Sequence, residues 1–161
     1  MSDETFMREA LKAARKAFEA DEVPVGAVLV YENRVIARGH NQVELLQDAT
    51  AHAEMLCLTS GAGVLGNWRL AKTTLYCTLE PCPMCAGALL ASRVERIVWA
   101  APDVRLGANG SWVDLFAIKH PMHTIEISKG VLEEEASSLM VDFFQSQRKR
   151  KDGKKGALPA R

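Results

Sequence analysis

The sequence predicts a three-layer α/β domain. Short β-rich runs alternate with segments of helical periodicity, the pattern of helices packed on a sheet. The chain has 161 residues, a length that suits one domain rather than two. Its composition is 48% hydrophobic and 25% charged, enough apolar surface for a core that needs no disulfide staples.

Each element has its own signal. Residues 4–20 read as a helix, because Met7, Leu11, Ala14 and Phe18 recur at spacings of four, three and four. Val25 to Tyr31 reads as a strand, Glu32-Asn33 as a turn and Val35 to Arg38 as a second strand, together an antiparallel hairpin. Polar residues from His40 to Thr50 read as a loop. A helix is predicted from Ala51 to Thr59, with Gly61, Gly63 and Gly66 marking its exit. Thr73 to Thr78 is the third strand, and Pro83 to Ser92, small and apolar, is a buried helix. Arg96 to Ala100 and Thr124 to Ile127 are the fourth and fifth strands. The last helix spans Val131 to Arg150, with Leu132, Ala136, Leu139, Met140 and Phe143 as its apolar stripe. Gly153, Gly156 and Pro159 predict a disordered basic tail over 152–161. No internal repeat is present.

Lys+Arg and Asp+Glu each number 20, a net charge of zero. Taken whole, that argues against an obvious nucleic-acid binder. The zero conceals a split. Residues 148–161 hold seven basic side chains against Asp152, so the first 147 residues carry a net −6 and the end of the chain +6. No apolar run reaches the roughly 18 residues of a membrane span. Met1 to Thr5 is polar, without a signal-peptide core. The expectation is a cytoplasmic protein with no membrane partner. In that compartment four cysteines are free, metal-bound or catalytic rather than paired.

The strongest local signal is Pro81-Cys82-Pro83-Met84-Cys85, which follows a strand and opens a helix. Two cysteines three apart can hold one metal ion, and a helix N-terminus favours their thiolates. Taken alone, the motif also fits a thioredoxin-like redox pair. A zinc site needs further ligands. Cys57 and Cys77 sit among apolar residues and read as core. His120 and His123 flank Pro121 in a loop and read as solvated, while His40 is ambiguous. His52 differs, because it opens a helix as His52-Ala53-Glu54. Three protein ligands, His52, Cys82 and Cys85, would leave a fourth position for water, a catalytic arrangement rather than a closed structural one. Glu54 could then carry that water's proton. Its ordinary alternative is a helix-start acid favoured by the dipole.

These residues resemble the H-x-E…P-C-x-x-C signature of zinc-dependent nucleobase deaminases. Further blocks resemble the tRNA-specific adenosine deaminase branch of the cytidine/deoxycytidylate deaminase superfamily. They are Glu22 to Val28, Asn41, Thr50 to Glu54, Leu75-Tyr76, Thr78 to Cys82, Met84 to Ala88, Gly107, Gly110-Ser111 and Asp142 to Phe144. They run in order across roughly residues 5–150.

The resemblance implies a cytidine-deaminase-like α/β/α sandwich around a mixed five-stranded sheet, with residues 1–151 as the deaminase domain. It implies one Zn²⁺ per chain and hydrolytic deamination of adenosine to inosine at the wobble position of a tRNA anticodon, with Glu54 moving the proton. It also implies roles around the base. Asn41 would hydrogen-bond the purine or ribose, and Val23, Ala53, Leu79 and Pro81 would line the flipped base. Asp103 would lie near the sugar-phosphate, and Phe144 and Arg148 would meet neighbouring anticodon nucleotides. The partners implied are a tRNA anticodon stem-loop and a second copy of the chain.

The chain departs from the family at Gln42-Val43, where many members have a pair such as Arg-Pro, and at Gln147, where a basic residue is frequent. Both concern tRNA contact. Two rival readings stand beside the first: a free-base deaminase acting on guanine or cytosine, and a noncatalytic zinc-containing RNA-binding subunit. An intact Glu54 argues against the second.

Overall fold

The computed structural model describes residues 1–156. One five-stranded mixed sheet carries the fold: β1 (Gly26–Tyr31), β2 (Arg34–His40), β3 (Thr73–Leu79), β4 (Arg96–Ala101) and β5 (Glu126–Lys129), in the order β2-β1-β3-β4-β5. The pairs β1–β2 and β1–β3 are antiparallel, and β3–β4 and β4–β5 are parallel. The predicted hairpin forms. Glu32 and Asn33 both take positive φ, 47° and 61°, as a two-residue turn requires when its twist matches that of the strands.

Side chains alternate across the sheet with the strand period of two. Val28, Val30, Tyr76, Val98 and Ala100 face a core completed by Phe6, Met7, Ala10 and Leu11 of α1 (Asp3–Glu19) and Ala136 of α5 (Glu133–Gly156). Ala27, Leu29, Leu75, Cys77, Ile97 and Trp99 face the opposite core, with α3 (Ala53–Leu65) and α4 (Pro83–Ala91). Helix, sheet and helix make the three predicted layers. Backbones approach closely at Gly26, where a Cβ would lie 2.1 Å from the Ala10 carbonyl.

Four expectations are corrected. Part of the loop after His40 is a short helix, α2 (Val43–Leu46). It forms because the Glu22 carboxylate accepts from the Glu44 and Leu45 N–H groups at 3.1 and 2.7 Å. Gly61 and Gly63 lie inside α3 rather than at its exit. Gly61 packs against Leu29, and only Gly66, at φ +62°, caps the helix. β5 starts two residues later than expected, with Glu126 paired to Arg96 of β4. α5 continues to Gly156, past the predicted end at Arg150 and into the tail expected to be disordered; residues 157–161 lie outside the described residues. No helix is long and apolar enough to cross a membrane among the described residues.

Candidate active site

All the strand ends that matter lie at one end of the sheet. β3 and β4 run parallel and end there at Leu79 and Ala101, β1 begins there after Val23, and β2 ends there before Asn41. Carboxyl ends of parallel strands are the usual ligand side of an α/β sheet. Two helices start at the same place. His52 is the N-cap of α3 and Cys82 the N-cap of α4, with Pro83 as the first residue of α4, where its missing N–H and fixed φ cost nothing. Both helix dipoles therefore turn their positive ends toward one point.

At that point His52 Nδ1 lies 3.5 Å from Cys82 Sγ and 3.6 Å from Cys85 Sγ. Zn–S bonds of about 2.3 Å and Zn–N bonds of about 2.0–2.1 Å at tetrahedral angles place the donor atoms about 3.6 Å apart. The three residues thus fit a zinc ion without rearrangement. Among the described residues they form the one His/Cys/Asp/Glu group gathered closely enough to hold a metal. Cys82 is held down at about 4 by hydrogen bonding with Cys85 and then His52, despite partial burial. Cys85 is pushed up, by Cys82 first and burial next. His52 is raised, chiefly by its hydrogen bond with Cys82. These donors bind a metal only when deprotonated, so metal binding here would release protons.

Glu54 follows two residues after His52, on the first turn of α3. It is 3% exposed, and its Oε2 has no hydrogen-bond partner among the described residues. Burial raises its carboxyl pKa. Asn41 repeats the pattern: its Nδ2 donates to the Val23 carbonyl at 3.3 Å, while its buried Oδ1 has no partner among the described residues. An orphaned buried polar atom is rare unless a ligand or water completes it. Both line a cavity of about 530 Å³ together with His52 and Cys82, a volume in the usual range for a small-molecule site.

The structure brings most of the expected residues to that cavity. Val23, Asn41, Ala53, Leu79, Asp103 and Phe144 line it with His52, Cys82 and Glu54. Three expected residues are not on its lining: Cys85, which is buried beside Cys82 and His52, and Pro81 and Arg148. Pro81 is buried and its carbonyl accepts from the Ala108 N–H at 2.8 Å, so it backs the site rather than lining it. Arg148 is exposed and lines an adjoining hollow with Val104, Arg105 and Lys151. Asp103 Oδ1 accepts from the Arg105 and Leu106 N–H groups, both at 3.2 Å, so in this structure it closes its own turn. Phe143 is buried and Phe144 half-buried, their rings edge-to-face at 5.4 Å. Cys57 and Cys77 are core, as expected. His123 is partly buried, its Nε2 2.6 Å from the Val94 carbonyl, contrary to a solvated loop histidine.

Sequence reasoning missed several lining residues. Arg105 and Leu106 reach the cavity from the turn after β4, and Arg105 lies 5.7 Å over the Phe144 ring. Glu22 and Glu80 line it too, each only 2% exposed. An acid beside the apolar end of a strand was the available signal for both.

The zinc-binding region of cytidine and deoxycytidylate deaminases matches residues 1–101. The tRNA-specific adenosine deaminase of Bacillus subtilis (strain 168) is 49% identical over 149 residues, covering 92% of each chain. The chloroplastic tRNA(adenine(34)) deaminase of Arabidopsis thaliana is 54% identical over 159 residues, and 89% of this chain spans only 12% of that protein. A solved structure from studies of A-to-I editing by tRNA:A34 deaminases at the wobble position superimposes with a TM-score of 0.81. It is 43% identical and is matched over 98% of its length and 84% of this chain.

Proposed function

The chain belongs to the zinc-binding cytidine and deoxycytidylate deaminase family, and from that premise we propose that it hydrolyses adenosine to inosine at the wobble position of a tRNA anticodon. The observation that carries this is the pairing of a three-donor zinc site with a buried, unpartnered carboxylate on the same cavity wall. His52, Cys82 and Cys85 would hold a zinc ion, which would supply a nucleophile at neutral pH by lowering the pKa of a bound water toward about 7. Glu54 takes up the proton released as oxygen attacks C6 of adenine. It passes protons to ring nitrogen N1 and to the departing amino group, so that adenosine and water give inosine and ammonia. Burial suits the carboxyl to this duty, since it raises the proton affinity of Glu54.

Other residues orient the base. The free Asn41 Oδ1 accepts from a donor on the purine or ribose, and Val23 and Leu79 give apolar contact to a flipped base. Flipping costs least in a single-stranded loop, which favours the anticodon loop as the target. Phe144, Arg148 and Lys151 line a hollow beside the cavity, a chemistry suited to stacking on a neighbouring nucleotide and to holding the stem backbone. Large exposed apolar side chains on the 112–122 loop, Trp112, Ile118 and Met122 among them, suit contact with a second copy of the chain. A cytoplasmic setting, where thiols stay reduced, agrees with four free cysteines.

The test is incubation of the zinc-loaded protein with bulk tRNA and, separately, with free guanine, cytosine and adenosine. Inosine in tRNA with release of ammonia is expected. Ammonia from free guanine, with no inosine in tRNA, would replace this reading with a free-base deaminase.

A further inference from the structure

Glu80 is a buried acid that the proton chemistry leaves unused. It stands between Leu79, the last residue of β3, and Pro81. Among the described residues no basic side chain forms an ion pair with it. Four donors from the loop after β4 converge on it instead. Oε1 accepts from the Asp103 N–H at 3.3 Å and from the Ser111 hydroxyl. Oε2 accepts from the Asn109 N–H at 2.9 Å and the Ser111 N–H at 3.3 Å. An ionised carboxylate only accepts, and it has room for about four such bonds. One side chain thus satisfies backbone donors that an irregular loop has no strand partner to satisfy.

The approach is tight. A Cβ on Gly107 would lie 2.1 Å from Glu80 Oε2. The backbone on either side of the carboxylate joins in, with Glu80 N–H donating to the Ala101 carbonyl and Ala108 N–H to the Pro81 carbonyl, both at 2.8 Å. The loop held this way brings Asp103, Arg105 and Leu106 to the cavity wall. The segment that holds it continues directly into Cys82.

We propose that Glu80 is a positioning residue for the deamination. Its carboxylate clamps the 103–111 loop in register with the zinc-ligand segment and so fixes the wall that the target nucleotide meets. The inference rests on the tRNA deaminase reading for its role in the reaction, while the clamp itself is measurable without turnover.

Two substitutions break the clamp differently. Glu80→Gln places an amide donor against loop N–H groups, and Gly107→Ala crowds the carboxylate out. In both, zinc is expected to stay at one per chain. The Asn109 and Ser111 amides should exchange with solvent at least about ten-fold faster. KM for an anticodon stem-loop RNA should rise about ten-fold, with kcat within about three-fold. Glu80→Asp, still an acceptor, should recover part of the KM. Ser111→Ala removes one donor of the four, should fall between wild type and Glu80→Gln, and serves if Glu80→Gln fails to fold. Unchanged exchange in Glu80→Gln overturns the clamp whatever the activity. Faster exchange with unchanged KM overturns the role in substrate placement. A wild-type protein that makes no inosine in tRNA, with the exchange result intact, overturns the substrate reading rather than the clamp.

Discussion

Glu54 and the two ligand cysteines separate by what their loss removes. In the proposed mechanism Glu54 is not a metal ligand, so Glu54→Ala should keep zinc and lose turnover by about 10²–10⁴-fold, the span of a general acid–base contribution. Cys82→Ala and Cys85→Ala should instead lose the metal itself, since two remaining donors do not make a zinc site. Metal analysis beside an inosine assay distinguishes the two outcomes. One zinc per chain in Cys85→Ala would remove that cysteine from the ligand set, and appreciable turnover in Glu54→Ala would remove the acid from the mechanism. Glu80 and Glu22 show that burial alone does not mark a reacting acid. Both have their oxygens taken by N–H or O–H donors, whereas Glu54 Oε2 has none. It is the free lone pair, more than the burial, that singles out Glu54 as the proposed reacting acid.

Among the elements, the start of α1 is pinned to the sheet by Asp3. Its carboxylate accepts two hydrogen bonds from the Arg96 guanidinium at 2.7 and 2.8 Å and one from the Tyr76 hydroxyl at 2.7 Å. The Arg96 bond holds the Asp3 carboxyl below its ordinary range, outweighing the upward push of partial burial. A depressed folded-state pKa gives stability that is present above the unfolded value of about 3.9 and lost as pH falls through the folded value. Asp3→Asn should therefore lower Tm at pH 7, by an amount equivalent to about 1 kcal/mol or less for a partly exposed pair. The gap should close below about pH 3.9. A gap that persists undiminished at lower pH would assign the loss to packing. The packing of α1 on β1 gives a second test. Gly26→Ala would press a methyl into the Ala10 carbonyl and the Ala14 N–H, and overpacking of this kind costs about 1–3 kcal/mol. Chemical denaturation should show that loss without a change of slope.

Over the whole molecule, net zero charge is a sum of an acidic body and a basic end. The structure extends α5 into that end as far as Gly156, so the charges from Arg148 to Lys155 ride on a helix. They are not equivalent. Arg150 is paired with Asp21, Lys151 lines the cavity, and Arg148 lines the hollow beside it. Truncation after Gln147 should weaken tRNA binding and make its dependence on log salt shallower. The expected change in slope is about 0.7–0.9 for each RNA phosphate that the shortened chain no longer neutralises. Binding measured from low to moderate salt tests this, and an unchanged slope would return the cluster to a merely solvated surface.

The sequence by itself made the candidate site legible, through its resemblance to the H-x-E…P-C-x-x-C signature. His52, Glu54, Cys82 and Cys85 are legible because each pair is local, two or three residues apart at a helix start, so the motif is read without the rest of the chain. The layer order was legible for the same reason, since periodicities of two and 3.6 are local properties. Helix ends and glycines were not. Gly61 reads as an exit, yet it lies mid-helix because Leu29 of a neighbouring strand occupies the space a side chain would need. Tertiary structure alone decided that His52 meets a cysteine pair 30 residues away. It decided that Pro81 supports the site while Arg105 and Leu106 line it. It also decided which buried acid is spoken for, because the donors that satisfy Glu80 arrive from a loop up to 31 residues further along the chain. Hydrogen bonding of a buried group is settled by every element around it, and no spacing in the sequence carries that sum.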